Sequence, residues 1–198
     1  MKKLFPAVFE KYDLLNHPFY TAWNEGRLTQ KQLGIYAWEY GSFIQLINKG
    51  WRVAGEEKIA AEEQEHFLLW ENFADSISAE KIEVSIVQVN DLVNLTRKNY
   101  KAYASAIGAL YAFEAQQPNT STSKLQGLKK HYSGWNIDET YFNIHADDVE
   151  EPALLEEKFH SLSFHEKLTA GFACEETCRA LWNALTGIME QGDEVCKN

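Results

Sequence analysis

Proline and glycine are sparse in this chain of 198 residues, with 4 and 11 copies respectively. An all-β sandwich needs a turn signal every ten or so residues, so that class is disfavoured. Cysteine is also scarce and odd in number: the 3 copies cannot make a paired framework, and Cys174, Cys178 and Cys196 all fall late in the chain. Cys174 and Cys178, four apart in a helix-like stretch, read as small core residues in a reduced, cytoplasmic setting. Positive charge is in deficit, with 19 Lys and Arg against 29 Asp and Glu and a formal charge of -10. A phosphate backbone would be repelled, which excludes general nucleic-acid binding. No apolar run approaches a membrane span, and the opening Met1-Lys2-Lys3-Leu4-Phe5-Pro6 lacks the apolar core of a signal peptide.

What remains is 45% apolar residues, 13% aromatics and helix signals from end to end, enough for one buried core over residues 1–198. Pro18 after Asn16-His17 is a first-turn proline, and Gly26 ends that short helix. Thr29-Gln30-Lys31-Gln32 is a capping box for a helix carrying Leu33, Tyr36, Ala37, Tyr40, Ile44 and Ile47 to about Val53. A third helix is expected over 56–77, with a fourth and fifth over 85–94 and 100–117, open to being continuous through Arg97. A short helix ends near His131, and Ser133-Gly134 is the clearest loop. Another helix runs from Asp138 through His145 and must kink or restart near Pro152. Ser163-Phe164-His165-Glu166 caps the last helix, to about Gln191. The expectation is an all-α single-domain bundle of about seven or eight helices.

Ionisable residues that interrupt apolar stripes are informative, because their burial costs free energy that something must offset. Glu62, Glu63 and His66 lie between Ile59 and Leu69, Trp70 and Phe73. Glu114 follows Ile107, Leu110 and Tyr111, and His145 follows Tyr141 and Phe142, with Asp148 three residues on. A Glu-x-x-His pair, single Glu residues from neighbouring helices and another His are how bundle cores assemble iron or manganese sites. Each element alone has a bland reading: a solvated acidic run, a satisfied core histidine, an ion pair from Glu114 to Lys or Arg. His160 and His165, five apart, read as surface residues.

The string His17-Pro18-Phe19-Tyr20-x-x-Trp23-x-x-Gly26-x-Leu28-Thr29, with Leu33 and Tyr36-Ala37, resembles the opening of the TenA/PqqC-like superfamily, which has the heme-oxygenase-like fold. His66-x-x-Leu69-Trp70-x-x-Phe73 and Ala109-Leu110-Tyr111-Ala112-Phe113-Glu114-Ala115-Gln116-Gln117-Pro118 are similar to the heme-oxygenase-like diiron oxidases, and to their para-aminobenzoate synthase branch. The resemblance implies metal ligands at Glu63 or Glu62, His66, Glu114 and His145. It implies one or two iron ions, with manganese as an alternative, O2 as co-substrate, and a homodimer in the cytoplasm. In that branch a tyrosine of the protein is consumed as the precursor of the aminobenzoate ring, with a lysine as amine source. Tyr20 matches the tyrosine, Lys124 the lysine, and Tyr36 a further tyrosine near the site. On their own residues, Tyr20 and Tyr36 would read as core packing and Lys124 as a solvated helix face.

The chain departs from the family at two further ligand positions. Four and seven residues after His145, where the family has Asp and His, stand Val149 and Pro152. Asp148 and Glu151 lie one residue earlier and would serve only if the helix were re-phased. A thiaminase is not expected, because that branch uses a mid-chain cysteine; the PqqC branch binds its substrate in a ring of basic residues, which these acidic stripes fit poorly. Two functions stay open: an O2-dependent iron oxidoreductase acting on a small molecule or on its own tyrosine, or a degenerate, non-enzymatic interaction module with an incomplete metal site.

Overall fold

The computed structural model describes residues 4–77 and 85–195. Cys196 lies outside them. Among the described residues every regular element is helical: α1 (Pro6–Lys11), α2 (Pro18–Asn24), α3 (Gln30–Ile44), α4 (Ile47–Val53), α5 (Glu57–Ser76), α6 (Val87–Asn99), α7 (Tyr103–Glu114), α8 (Gln117–Gly127), α9 (Thr140–Ala146), α10 (Glu150–Ser161) and α11 (Phe164–Val195). No described helix is long and apolar enough to cross a membrane.

The expected start signals act as read. The His17 ring accepts from the Phe19 amide ahead of Pro18. The Thr29–Gln32 box is closed in both directions, and so is the Ser163–Glu166 box. Gly26 ends α2 with φ +68°, a conformation that costs a residue with a Cβ more than it costs glycine.

The helices are shorter than the periodicity suggests. The helix expected to reach Val53 breaks at Gln45–Leu46, where the Gln45 side-chain amide donates to the carbonyl of Ser42 at the end of α3. The helices expected over 85–94 and 100–117 are not continuous. Ala102 is extended, and the Ser105 hydroxyl donates to the freed carbonyl of Asn99. The helix begun near Asp138 stops at Ala146 and restarts at Glu150, with Pro152 in the first turn of α10, where a missing amide hydrogen breaks no helical bond.

Nearly every residue of α3 and α7 is buried, as expected of helices surrounded on all sides. α11 packs along α7 and α6, α5 against α3, α4 and α9, and α8 against α2 and α9. α7 and α11 approach so closely that a Cβ at Gly108 would lie 1.9 Å from the carbonyl oxygen of Ala170. One buried cluster runs from Leu4 to Ile188 and includes Cys174 and Cys178, which are free thiols in the core.

Glu39 on α3 is buried away from the acidic stripes. Its carboxylate accepts from the amide and hydroxyl of Ser85 and from the amide of Ile86, holding the start of α6, whose N-cap residue has no polar side chain. Glu39→Ala is expected to destabilise the fold by about 2 kcal/mol, because it leaves buried donors unpaired. A denaturation midpoint unchanged from wild type would contradict that role.

Candidate metal centre

Four elements converge on one polar spot in the core. α5 brings Glu63 and His66 one turn apart, α7 ends on Glu114, α9 carries His145 in its last turn, and α10 carries Glu151 in its first. The amphipathic register of α5 buries Ala60, Glu63 and Trp70 on one face. That register separates Glu63 from Glu62, whose half-exposed carboxylate instead pairs with Lys58 at 3.3 Å. The Glu-x-x-His pair is therefore Glu63 and His66.

His66 Nδ1 donates to Glu63 Oε1 at 2.8 Å. His145 Nδ1 donates to the carbonyl of Tyr141, four residues back on its own helix, at 2.7 Å. That bond fixes the tautomer and leaves Nε2 with its lone pair free. Nε2 lies 3.6 Å from Glu63 Oε1, beyond hydrogen-bonding distance, and has no partner although the residue is fully buried. Ligand atoms of Glu63, His66 and His145 all lie within 4.8 Å of one another.

Glu114 accepts from the indole of Trp51 at 3.2 Å. No ammonium or guanidinium pairs with it among the described residues, so the bland ion-pair reading fails. The restart of the chain between α9 and α10 re-phases the two positions in question. Val149 is 48% exposed, whereas Glu151 is turned inward at 8%, with its Oε2 buried and unpartnered. Asp148 is half-buried at the edge, its Oδ1 3.4 Å from the Glu151 amide.

The charges report the same crowding. Burial pushes the Glu114 carboxyl well above its usual range, and the neighbouring Glu151, Glu63 and Asp148 push it further. Glu151 is raised to about 9, again by burial first and then by Glu63, Asp148 and Glu62. Burial works against ionisation of Glu63 too, but the imidazoles of His145 and His66 outweigh it and hold that carboxyl low. The hydrogen bond to Glu63 raises the basicity of His66 against the opposing effect of burial, with smaller contributions from Asp148 and Glu62. An unpartnered imidazole lone pair, an unpartnered carboxylate oxygen and mutually repelling buried acids are what a divalent cation would satisfy together. The donor set fits a metal.

The tyrosine and lysine candidates also meet. The Tyr20 and Tyr36 hydroxyls are 3.3 Å apart. Lys124, expected from its own helix to be solvated, is instead 2% exposed. Its Nζ lies 5.1 Å from the Tyr20 ring centroid, 5.8 Å from that of Tyr36 and 5.2 Å from that of Phe142. Burial lowers the lysine pKa to about 7 and raises both phenols, so the phenols stay protonated while the amine is readily neutral.

Two residues that sequence reasoning left as stripe packing connect the two clusters. Ring centroids step from Tyr36 to Trp70 (5.7 Å), Trp70 to Tyr141 (4.9 Å) and Tyr141 to His145 (4.2 Å). Gln117 donates to the Tyr141 hydroxyl, and Trp51 to Glu114. Nothing in their spacing separates these partners from ordinary core residues.

The bundle shares the heme-oxygenase-like fold of TenA-type proteins, a buried Glu/His set stands on its converging helices, and the chain is similar to 4-aminobenzoate synthases. No family model matches the chain. It is 28% identical to the 4-aminobenzoate synthase of Nitrosomonas europaea, over 96% of this chain and 91% of that protein. Its identity to the 4-aminobenzoate synthase of Chlamydia pneumoniae is 26%, over 98% of each chain. Two solved structures share the fold. A TenA homologue from Pseudomonas syringae aligns with TM-score 0.76 and 13% identity, over 93% of this chain and 88% of that one. A domain with a heme oxygenase-like fold from Shewanella denitrificans aligns with TM-score 0.76 and 17% identity, over 96% and 91%.

Proposed function

We propose that the chain is an O2-dependent iron oxidoreductase that forms 4-aminobenzoate, with its own Tyr20 as precursor of the ring and Lys124 as amine source. The names of its relatives and the buried Glu/His set support an oxidoreductase role. The finer reading is carried by one observation: Lys124 Nζ is buried against the Tyr20 and Tyr36 rings, in contact through Trp70 and Tyr141 with a metal ligand.

In this reading Glu63, His66, Glu114, His145 and Glu151 hold the metal, and bound iron supplies the redox chemistry with O2. The chain's own groups do the rest. The Tyr141 carbonyl holds the His145 ring with Nε2 presented inward. Trp51 orients Glu114. The Trp23 indole donates to the backbone carbonyl of Lys124 at 3.1 Å and fixes that turn of α8. The aromatic walls around Tyr20 and Tyr36 exclude water and keep the amine neutral enough to act as a nucleophile. The homodimer implied by the resemblance belongs to the same reading, and light scattering measures it directly.

Tyr20→Phe removes the phenol oxygen and little else from a packed site. The iron-loaded variant is expected to keep its metal and form no detectable 4-aminobenzoate, read by chromatography of the product. Wild-type yield from this variant would remove the self-consuming tyrosine and direct attention to an external substrate.

A further inference from the structure

The two sides of the metal centre differ in access. Towards Tyr20, Tyr36 and Lys124 it is closed by buried rings. On the other side a cleft of about 700 Å³ opens between α5 and the α9–α10 turn, and two residues of the centre, His66 and Glu151, line it. Its remaining walls are strongly one-signed: five of the other lining residues are Asp or Glu, and Lys58 is the one ammonium among them. Acidity alone would mark only a solvated face. The second observation is Glu151, a lining residue more than nine-tenths buried, whose Oε2 is buried behind the cleft without a partner.

Glu62 and Asp148 stand between solvent and the buried ligands. Glu62 is held by Lys58 on the outer side of α5, and Asp148 sits on the turn that restarts the chain into α10. A hydrated divalent cation cannot cross the aromatic side of the core without losing its water all at once. An acidic cleft raises its local concentration and lets it exchange water for carboxylate oxygens in steps.

We propose that this cleft is the loading route for the divalent metal, and that Glu62 and Asp148 steer the hydrated ion to His66 and Glu151 without remaining its ligands. The inference rests on the metal reading of the site. It adds a function for two residues that sequence reasoning could place only as alternative ligands.

Stopped-flow mixing of Co(II) with the metal-free chain tests it, with absorbance of the bound ion as signal. The double variant Glu62→Gln/Asp148→Asn is expected to load about tenfold more slowly at low ionic strength and to lose most of the salt dependence of the wild-type rate. Its final absorption spectrum and stoichiometry should match wild type. The control Glu10→Gln/Glu175→Gln removes the same net charge from exposed positions elsewhere and should load at the wild-type rate. Equal loading rates for the double variant and wild type would overturn the route. An altered Co(II) spectrum would overturn the steering role by making the pair ligands of the bound ion. A wild-type chain that binds no Co(II) would instead remove the metal reading itself, an outcome distinct from the other two.

Discussion

His145→Ala is expected to lower metal affinity by about a hundredfold or more while leaving a folded chain. His145 has two nitrogens with separate tasks: Nδ1 is committed to the Tyr141 carbonyl, and Nε2 has no protein partner. Removing the ring therefore breaks one hydrogen bond and opens a cavity, a loss of roughly 2–3 kcal/mol by analogy with large-to-small core changes. The metal loses a neutral donor that no neighbour can replace, and changes even in the partners of such ligands cost about 10–100-fold. Competition with a chelator of known strength measures the affinity, and circular dichroism reports the fold. Wild-type affinity in this variant would contradict the assignment of His145 as a ligand.

The second large effect is a reversal between stability and binding. Burial raises both Glu114 and Glu151; Glu151 pushes Glu114 further, and Glu63 and Asp148 help to raise Glu151 to about 9. In the unfolded chain such carboxyls titrate near 4.5. At these two groups the folded, metal-free chain therefore binds more protons than the unfolded one above that value. Their contribution to stability is fully present at pH 4.5 and below, and it is lost as pH rises towards 9. Metal binding displaces those protons, so affinity rises over the same interval.

Glu114→Gln/Glu151→Gln removes both titrations. At pH 8 the metal-free double variant is expected to be more stable than wild type by about 2 kcal/mol, roughly 4–8 °C in Tm, with a flatter pH profile. It should lose most of its metal affinity. Thermal melts across pH with and without metal check both halves. A variant less stable than wild type at pH 8 would show that these carboxylates are satisfied without a cation.

Much of the architecture was legible because its signals are local. His17-Pro18, Thr29–Gln32 and Ser163–Glu166 mark helix starts through their own side chains, and all three hold. The interior breaks at Gln45, Ala102 and Asp147–Val149 were less visible. They depend on which carbonyl a distant or non-periodic side chain satisfies. The ligand set was legible in part: Glu63, His66, Glu114 and His145 interrupt apolar stripes, and burial is what makes an interruption informative.

Glu151 needed the fold. Its inward turn comes from the restart of the chain after Ala146, a three-dimensional fact that spacing from His145 alone could not decide. Lys124 shows the opposite limit. Its own helix gives no reason to bury it, and only the resemblance singled it out; the packing of α8 on α2 and α9 then placed its amine over Tyr20. Trp51, Trp70 and Gln117 were invisible as partners because aromatic and amide residues on buried faces are common whatever they touch.

The central claim is that the buried Glu/His set is a working metal centre. Anaerobic addition of Fe(II) to the metal-free chain, removal of unbound ion and iron analysis, followed by exposure to O2 with an oxygen electrode, tests it most directly. The account predicts at least one retained iron per chain and O2 consumption that His145→Ala abolishes. A wild-type chain that retains no stoichiometric iron would contradict it.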